Sequence, residues 1–215
     1  MRGMKELVVL IKRVMKYIKF VLLRLSLRIT TPKATRLFGE LFFWFIGLRY
    51  KRLQLDLSKV KRVLVVRLDE IGDVVMTTPF LRELRQNLPN AWVTLIVKPT
   101  VYNLVEFCPY VNEVLIYDWN TQGDFWKLRR HYRALLLGLH YLWKRHFDLA
   151  IIPRRDIDYY YATFVAYLSG AVLRIGYSEN INEHKQQLNN GFDCLFTHAL
   201  KNRMLKHEVE HNLDI

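Results

Sequence analysis

The sequence predicts an α/β protein, a parallel sheet with helices on both faces, preceded by basic amphipathic helices. Two observations predict the sheet. From residue 60 onward, short runs rich in Val, Ile and Leu alternate with helix-length segments. Those runs are mainly apolar, as strands buried on both faces are. A third observation, charge, separates the helices from the sheet. Residues 1–60 hold 14 Lys/Arg against 3 Asp/Glu, whereas residues 61–215 hold 19 against 17. The overall charge of +13 therefore belongs mostly to the first segment.

Residues 5–28 read as one helix. At helical spacing Leu7, Ile11, Val14, Ile18, Val21, Leu22 and Leu25 share a face, and Lys5, Lys12, Lys16 and Lys19 share another. A helix lying in a membrane interface has this pattern, with lysines on lipid phosphates and the apolar face in the acyl boundary. Docking of the helix on the body, with its lysines in water, is the plainer alternative. An acidic protein partner is a third. No uncharged run reaches the roughly 20 residues of a membrane span, and a signal peptide fits poorly because Glu6 and Lys12 bracket so short an apolar run. Thr30, Thr31 and Pro32 break this helix from a second one, whose Phe42, Phe43, Trp44 and Phe45 could sit at headgroup level. The boundary is expected near 57, giving an extension over 1–57 and a body over 58–215.

In the body, strands are expected at 63–66, 92–97, 113–117, 149–152 and 173–176. Helices are expected at 74–87, 101–107, 125–145 and 159–168, with Pro89 and Asn90 as a stop and turn. In such a sheet the ligand crevice lies past the carboxyl ends of the strands. The polar residues expected there are Arg67, Asp69, Glu70 and Asp73, then Lys98, Asp118, Arg154, Arg155, Asp156 and Asp158, then Tyr177, Ser178 and Glu179. Mixed cations and carboxylates suit a polyol carrying phosphate or carboxylate. A near-neutral body argues against nucleic acid as a partner. Cys108 and Cys194 form no CxxC and fit a reducing compartment.

Asp73 is the leading candidate for chemistry. A carboxylate there could act as a base for a ligand's hydroxyl proton, and a helix N-terminus favours negative charge there. The competing role is a helix N-cap, the commonest reason for Asp at a helix start. Gly72–Asp73 is no dinucleotide fingerprint, and no phosphate-loop motif occurs. The segment HEVEH, His207 to His211, matches H-E-x-x-H, yet no third zinc ligand follows in pattern. Its plainer reading is the polar face of a connecting helix. Arg154 and Arg155 could hold an anionic acceptor or pair with Asp156 or Asp158. Tyr159 to Tyr161 read as core and crevice wall more readily than as a sugar-stacking platform.

The stretch VLVVRLDEIGDVVMTTPFLRELRQNLPNAWVTLIV resembles the N-terminal signature of the family-9 glycosyltransferases, which include the lipopolysaccharide heptosyltransferases. FDLAIIPR with its following helix, SGA…RIGYSE and HEVEHNL add to the resemblance by their order. It implies the N-terminal half of a two-domain GT-B fold and inverting transfer without a metal or other cofactor. The substrates would be a nucleotide-sugar carrying a heptose-like sugar and a lipopolysaccharide-type glycolipid acceptor. The family's catalytic aspartate maps to Asp73. Gly72 is expected to shape the turn, with Thr77 and Thr78 on the helix that carries it and Arg67 before it. Arg67, Gly72, Thr77, Thr78, Lys98, Arg154, Arg155 and Asp158 are the expected acceptor contacts. The resemblance also implies a donor-binding domain beyond Ile215, so the isolated chain is expected to be incomplete. The basic extension would hold the protein at the cytoplasmic face of the plasma membrane. The alternative is a non-catalytic membrane module that binds a glycolipid or protein partner.

Overall fold

The computed structural model describes residues 2–47, 57–120, 122–202, 204 and 206–215, with side chains from residue 14 onward. Its centre is a six-stranded, wholly parallel sheet: β1 (Arg62–Val66), β2 (Trp92–Val97), β3 (Glu113–Ile116), β4 (Leu149–Ile152), β5 (Leu173–Tyr177) and β6 (His198–Leu200). The order across the sheet is β3-β2-β1-β4-β5-β6. The register runs Val63 beside Val93 on one side and Leu149 on the other. The chain therefore reverses its direction of winding between β1 and β4. That switch point is where parallel α/β sheets bind ligands.

Successive strand residues point to opposite faces, and both faces are packed. Val63, Val65, Leu95, Leu149 and Ile151 face α3 (Ile71–Met76), α4 (Thr78–Asn87) and α5 (Tyr102–Val105). Leu64, Val66, Ile96, Ala150 and Ile152 face α6 (Trp126–Leu137) and α7 (Ala162–Leu168). Two further helices complete the body, α8 (Glu183–Leu188) and α9 (Glu208–Leu213), and α9 rests on α3 and α4.

Several helices depart from the expected bounds for visible reasons. The run expected over 74–87 splits at Thr77. Pro79 has no N–H for the carbonyl four residues back, so α3 ends and α4 begins with proline in its first turn. The run expected over 125–145 stays α-helical only to Leu137. It loosens into a π turn at Gly138–Leu142, beside which the Trp143 indole donates to Leu168 O (2.8 Å). The helix expected from 159 starts at Ala162 instead, after Tyr161 in a left-handed conformation.

The N-terminal pair forms as expected, α1 (Arg2–Ile29) and α2 (Pro32–Phe45), with Thr31 as N-cap accepting from Ala34 N (3.3 Å). Their packing differs. α2 is part of the core: Phe43 is fully buried, and the Tyr167 hydroxyl donates to Arg36 O (3.0 Å). Gly39 permits this approach, because a Cβ there would lie 2.6 Å from the Tyr167 ring. The expected boundary at 57 adjoins residues 48–56, which lie outside the described residues. α1 crosses α6 on a narrow strip of Leu23, Ser26 and Thr30, whose hydroxyls bond back to Leu23 O and Ser26 O. The apolar face of α1 is not on that strip: Val14, Ile18, Val21, Leu22 and Leu25 are 45–52% exposed. No helix among the described residues is long and apolar enough to cross a membrane.

Candidate active site at the carboxyl edge of the sheet

β1 is buried on both faces, so it delivers Arg67 into the interior instead of the surface; the side chain is 1% exposed. A buried guanidinium needs every donor engaged. Nη1 donates to Pro153 O after β4, and Nη2 donates to Asp73 O (3.3 Å) and Glu208 Oε1 (3.0 Å). Nε lies 3.0 Å from Asp69 Oδ2. Asp69, equally buried, also pairs with Arg154. Burial pulls both guanidiniums below the ordinary arginine pKa, with the Glu208 hydrogen bond opposing the shift at Arg67 and the Asp158 charge opposing it at Arg154. Arg154 also donates from Nε to Ile157 O (2.6 Å). Arg67, Asp69 and Arg154 thus lock the β1 loop to the β4 loop, across the switch point.

That lock positions α3. Glu70 is its N-cap but makes no capping bond, because its carboxylate reaches Lys98 and accepts from the Tyr160 hydroxyl (3.0 Å). The Lys98 bond is the main cause that lowers the Glu70 pKa. Asp73 stands in the first turn of α3, so the N-cap role weighed for it falls to Glu70. Its backbone carbonyl accepts from Arg67 and from Thr77 Oγ1 (2.8 Å). Its carboxylate is part-exposed and has no hydrogen-bond or ion-pair partner among the described residues. The surrounding charges are engaged with one another, and this oxygen pair is held in place from behind and left open in front.

Other expected site residues sit differently. Gly72 is exposed and helical, with a negative φ, and a Cβ there would meet nothing. The turn does not require glycine, so its expected shaping role is corrected to an open patch of backbone beside Asp73. Thr77 is buried with its hydroxyl committed to Asp73 O, which corrects the expected ligand contact to a support. Thr78 lines a groove with Val75, Leu81 and Leu104, between α4 and α5. Lys98 is buried under Glu70, 4.9 Å from the Tyr160 ring centre. Asp158 is buried and caps α7: Oδ1 accepts from Ala162 N (2.9 Å), and Oδ2 from Thr163 N and Oγ1 (both 2.8 Å). Its expected contact with an acceptor gives way to that cap. Arg155 is buried near the edge, and its carbonyl accepts from Lys185 Nζ (2.8 Å).

Sequence reasoning did not find the roles of three participants. Lys185, given no role, is buried and ties Arg155 O to Tyr177 O (3.0 Å), bridging the ends of β4 and β5; burial pushes its pKa down to about 8. Glu208 reaches Arg67 from 141 positions away. Tyr160 carries the hydroxyl that holds Glu70 and faces the Trp119 ring at 4.6 Å. In the HEVEH segment, His207 is the N-cap of α9, with Nδ1 accepting from Val209 N (3.3 Å), and His211 Nε2 accepts from Lys206 N (3.0 Å). Both rings thus serve the backbone around α9. Lys16 is exposed and Lys19 pairs with Asp124, while the side chains of Lys5 and Lys12 lie outside those described.

No protein-family model matches the chain, and no curated protein sequence matches it. Solved structures do. A glycosyltransferase of family 9 from Veillonella parvula DSM 2008 superposes with a TM-score of 0.58 at 20% identity, over 76% of this chain and 42% of that one. The E. coli heptosyltransferase WaaC with ADP gives 0.50 at 17% identity, over 71% and 45%. The E. coli ADP-heptose lps heptosyltransferase II gives 0.51 at 19%, over 71% and 39%. The chain thus spans less than half the length of these structures, and its fold is the Rossmann-like fold found in these glycosyltransferases.

Proposed function

We propose that this chain is the acceptor-binding half of an inverting glycosyltransferase and that Asp73 is its general base. One observation carries the reading: the Asp73 carboxylate stands in the first turn of α3 beside the switch point, with no hydrogen-bond or ion-pair partner among the described residues. In the proposed reaction, an acceptor hydroxyl gives its proton to an Asp73 oxygen. Its oxygen attacks the anomeric carbon of the donor from the face opposite the nucleotide. The bond to the nucleotide breaks, its electron pair leaves with the diphosphate, and the anomeric configuration inverts. A nucleotide-sugar donor with a heptose-like sugar is supported by the fold shared with the E. coli heptosyltransferases. A lipopolysaccharide or related glycolipid acceptor is supported by the resemblance of residues 63–97.

General-base catalysis contributes roughly 10²–10⁴-fold to a rate. In the protein as the cell makes it, Asp73→Asn is therefore expected to cut transfer by about that factor while acceptor binding and the melting temperature hold. Transfer at the wild-type rate would sink the assignment.

A second reading concerns place. The outward apolar face of α1 and the positive charge ahead of the sheet support association with an anionic membrane, at the cytoplasmic face where lipid-linked acceptors are presented. On its own this describes a non-catalytic membrane module that binds a glycolipid or protein partner. Binding to anionic vesicles that weakens with salt, in a protein with no transfer activity towards any donor, would favour that alternative.

A further inference from the structure

Between α1, α2 and α6 lies a cavity of about 500 Å³, lined by Ile29, Phe38, Phe42, Leu128 and Leu135 among others. Its size is within the range of about 300–1,000 Å³ typical of small-molecule sites. Its few polar atoms are engaged: His131 Nδ1 bonds with Lys127 O (2.9 Å), and Nε2 lies 3.4 Å from Thr35 Oγ1. Burial pushes the His131 pKa down to about 4, so the ring is neutral at cellular pH. The walls therefore present hydrocarbon and no charge.

What surrounds the cavity indicates its occupant. Ile29, Phe38, Phe42, Leu128 and Tyr132, which line it, are themselves 41–62% exposed. Exposed apolar residues in such number on adjoining helices mark an interaction surface. Over residues 14–47 the charged side chains are six Lys/Arg and one Glu. A basic helical segment that carries an apolar opening complements a hydrocarbon chain with an anionic headgroup.

We propose that the cavity between α2 and α6 takes one acyl chain of an anionic membrane lipid. The chain enters beside Phe38 and Phe42, and the headgroup stays at the surface among the basic residues of α1 and α2. This rests on the membrane reading and goes beyond it. A surface helix alone needs no cavity, whereas here one lipid is drawn out of the leaflet into the body, against α6. The acyl site is separate from the carboxyl edge that carries Asp73.

The test uses the whole 215-residue chain. It is titrated with cis-parinaric acid, a fatty acid whose fluorescence rises in apolar surroundings, and sedimented with equimolar phosphatidylglycerol–phosphatidylcholine vesicles. Leu128→Glu with Leu135→Glu puts carboxylates in the cavity wall at positions that are already part-exposed, so the fold should stand. Leu135→Trp fills the space without charge, which keeps the test valid should the acidic pair fold poorly. The expected result is saturable one-to-one uptake by the wild type, weakened about tenfold or more in either variant, with vesicle binding retained. No saturable uptake, or equal uptake by all three proteins, overturns the proposal. If the vesicles still bind, only the acyl site falls; if they do not, the membrane reading falls with it. A concentration-dependent dimer that excludes the fatty acid assigns the cavity to a second copy and also overturns the proposal.

Discussion

Arg67→Met tests whether the β1–β4 lock sets the candidate site. Methionine roughly fills the space but donates nothing. Pro153 O loses its side-chain donor, Asp73 O keeps only Thr77 Oγ1, Glu208 loses its partner, and Asp69 keeps only Arg154. Breaking a buried pair costs about 3–5 kcal/mol, because acceptors stay behind without donors. In a domain of this size each kcal/mol lowers the melting temperature by roughly 2–4 °C, so a fall of roughly 6–20 °C is expected. Lys98→Met is the control. Its partner Glu70 has a side chain 66% exposed and can turn to water, so the loss should stay within about 1 kcal/mol. Calorimetry on the two variants measures the contrast. Glu208→Gln in a double-mutant cycle with Arg67→Met should show coupling of about 1 kcal/mol or more. Equal melting temperatures for the two methionine variants would refute the argument that the buried guanidinium, and not the half-exposed Lys98–Glu70 pair, holds α3 in place.

Three further outcomes follow from the packing. Asp158→Ala strips the acceptor from three donors at the start of α7 and is expected to cost about 2–3 kcal/mol in urea unfolding. Gly39→Ala forces a methyl group against the buried Tyr167 ring; the expected loss of about 1–3 kcal/mol should appear as faster amide exchange in α2, with the sheet unchanged. His131 takes up its proton at about pH 4 in the folded chain but near 6.5 when unfolded. Stability should therefore fall as pH drops from 6.5 to 4, by about 1–3 kcal/mol after allowance for part exposure of the ring. That slope should vanish in His131→Gln, and a slope that persists would assign the acid sensitivity elsewhere.

The five longer strands were legible because burial keeps their runs mainly apolar, even where Thr94 or Arg174 interrupts them. β6 was not, since His198–Leu200 is three residues long and pairs with β5 alone at the sheet edge. Asp73 was legible as the carboxylate after the first strand. What each neighbouring charge does was not, because the same residue type serves a ligand or the backbone depending on depth. Asp158 looked like an edge carboxylate but lies one turn inside, facing the amides of α7. Glu208 lay in the flagged HEVEH segment, but its role was hidden, because its partner Arg67 is 141 positions earlier.

That separation has a consequence during synthesis. Ribosomes add about 5–20 residues per second, so Arg67 exists for roughly 7–28 seconds before its Glu208 partner is made. Through that interval β1 has an arginine with its last acceptor missing, and α9 is not yet there to brace α3. The helix with the outward apolar face, by contrast, is made before any strand of the sheet. Translation therefore presents this apolar, basic helix well before the turn that carries Asp73 can close.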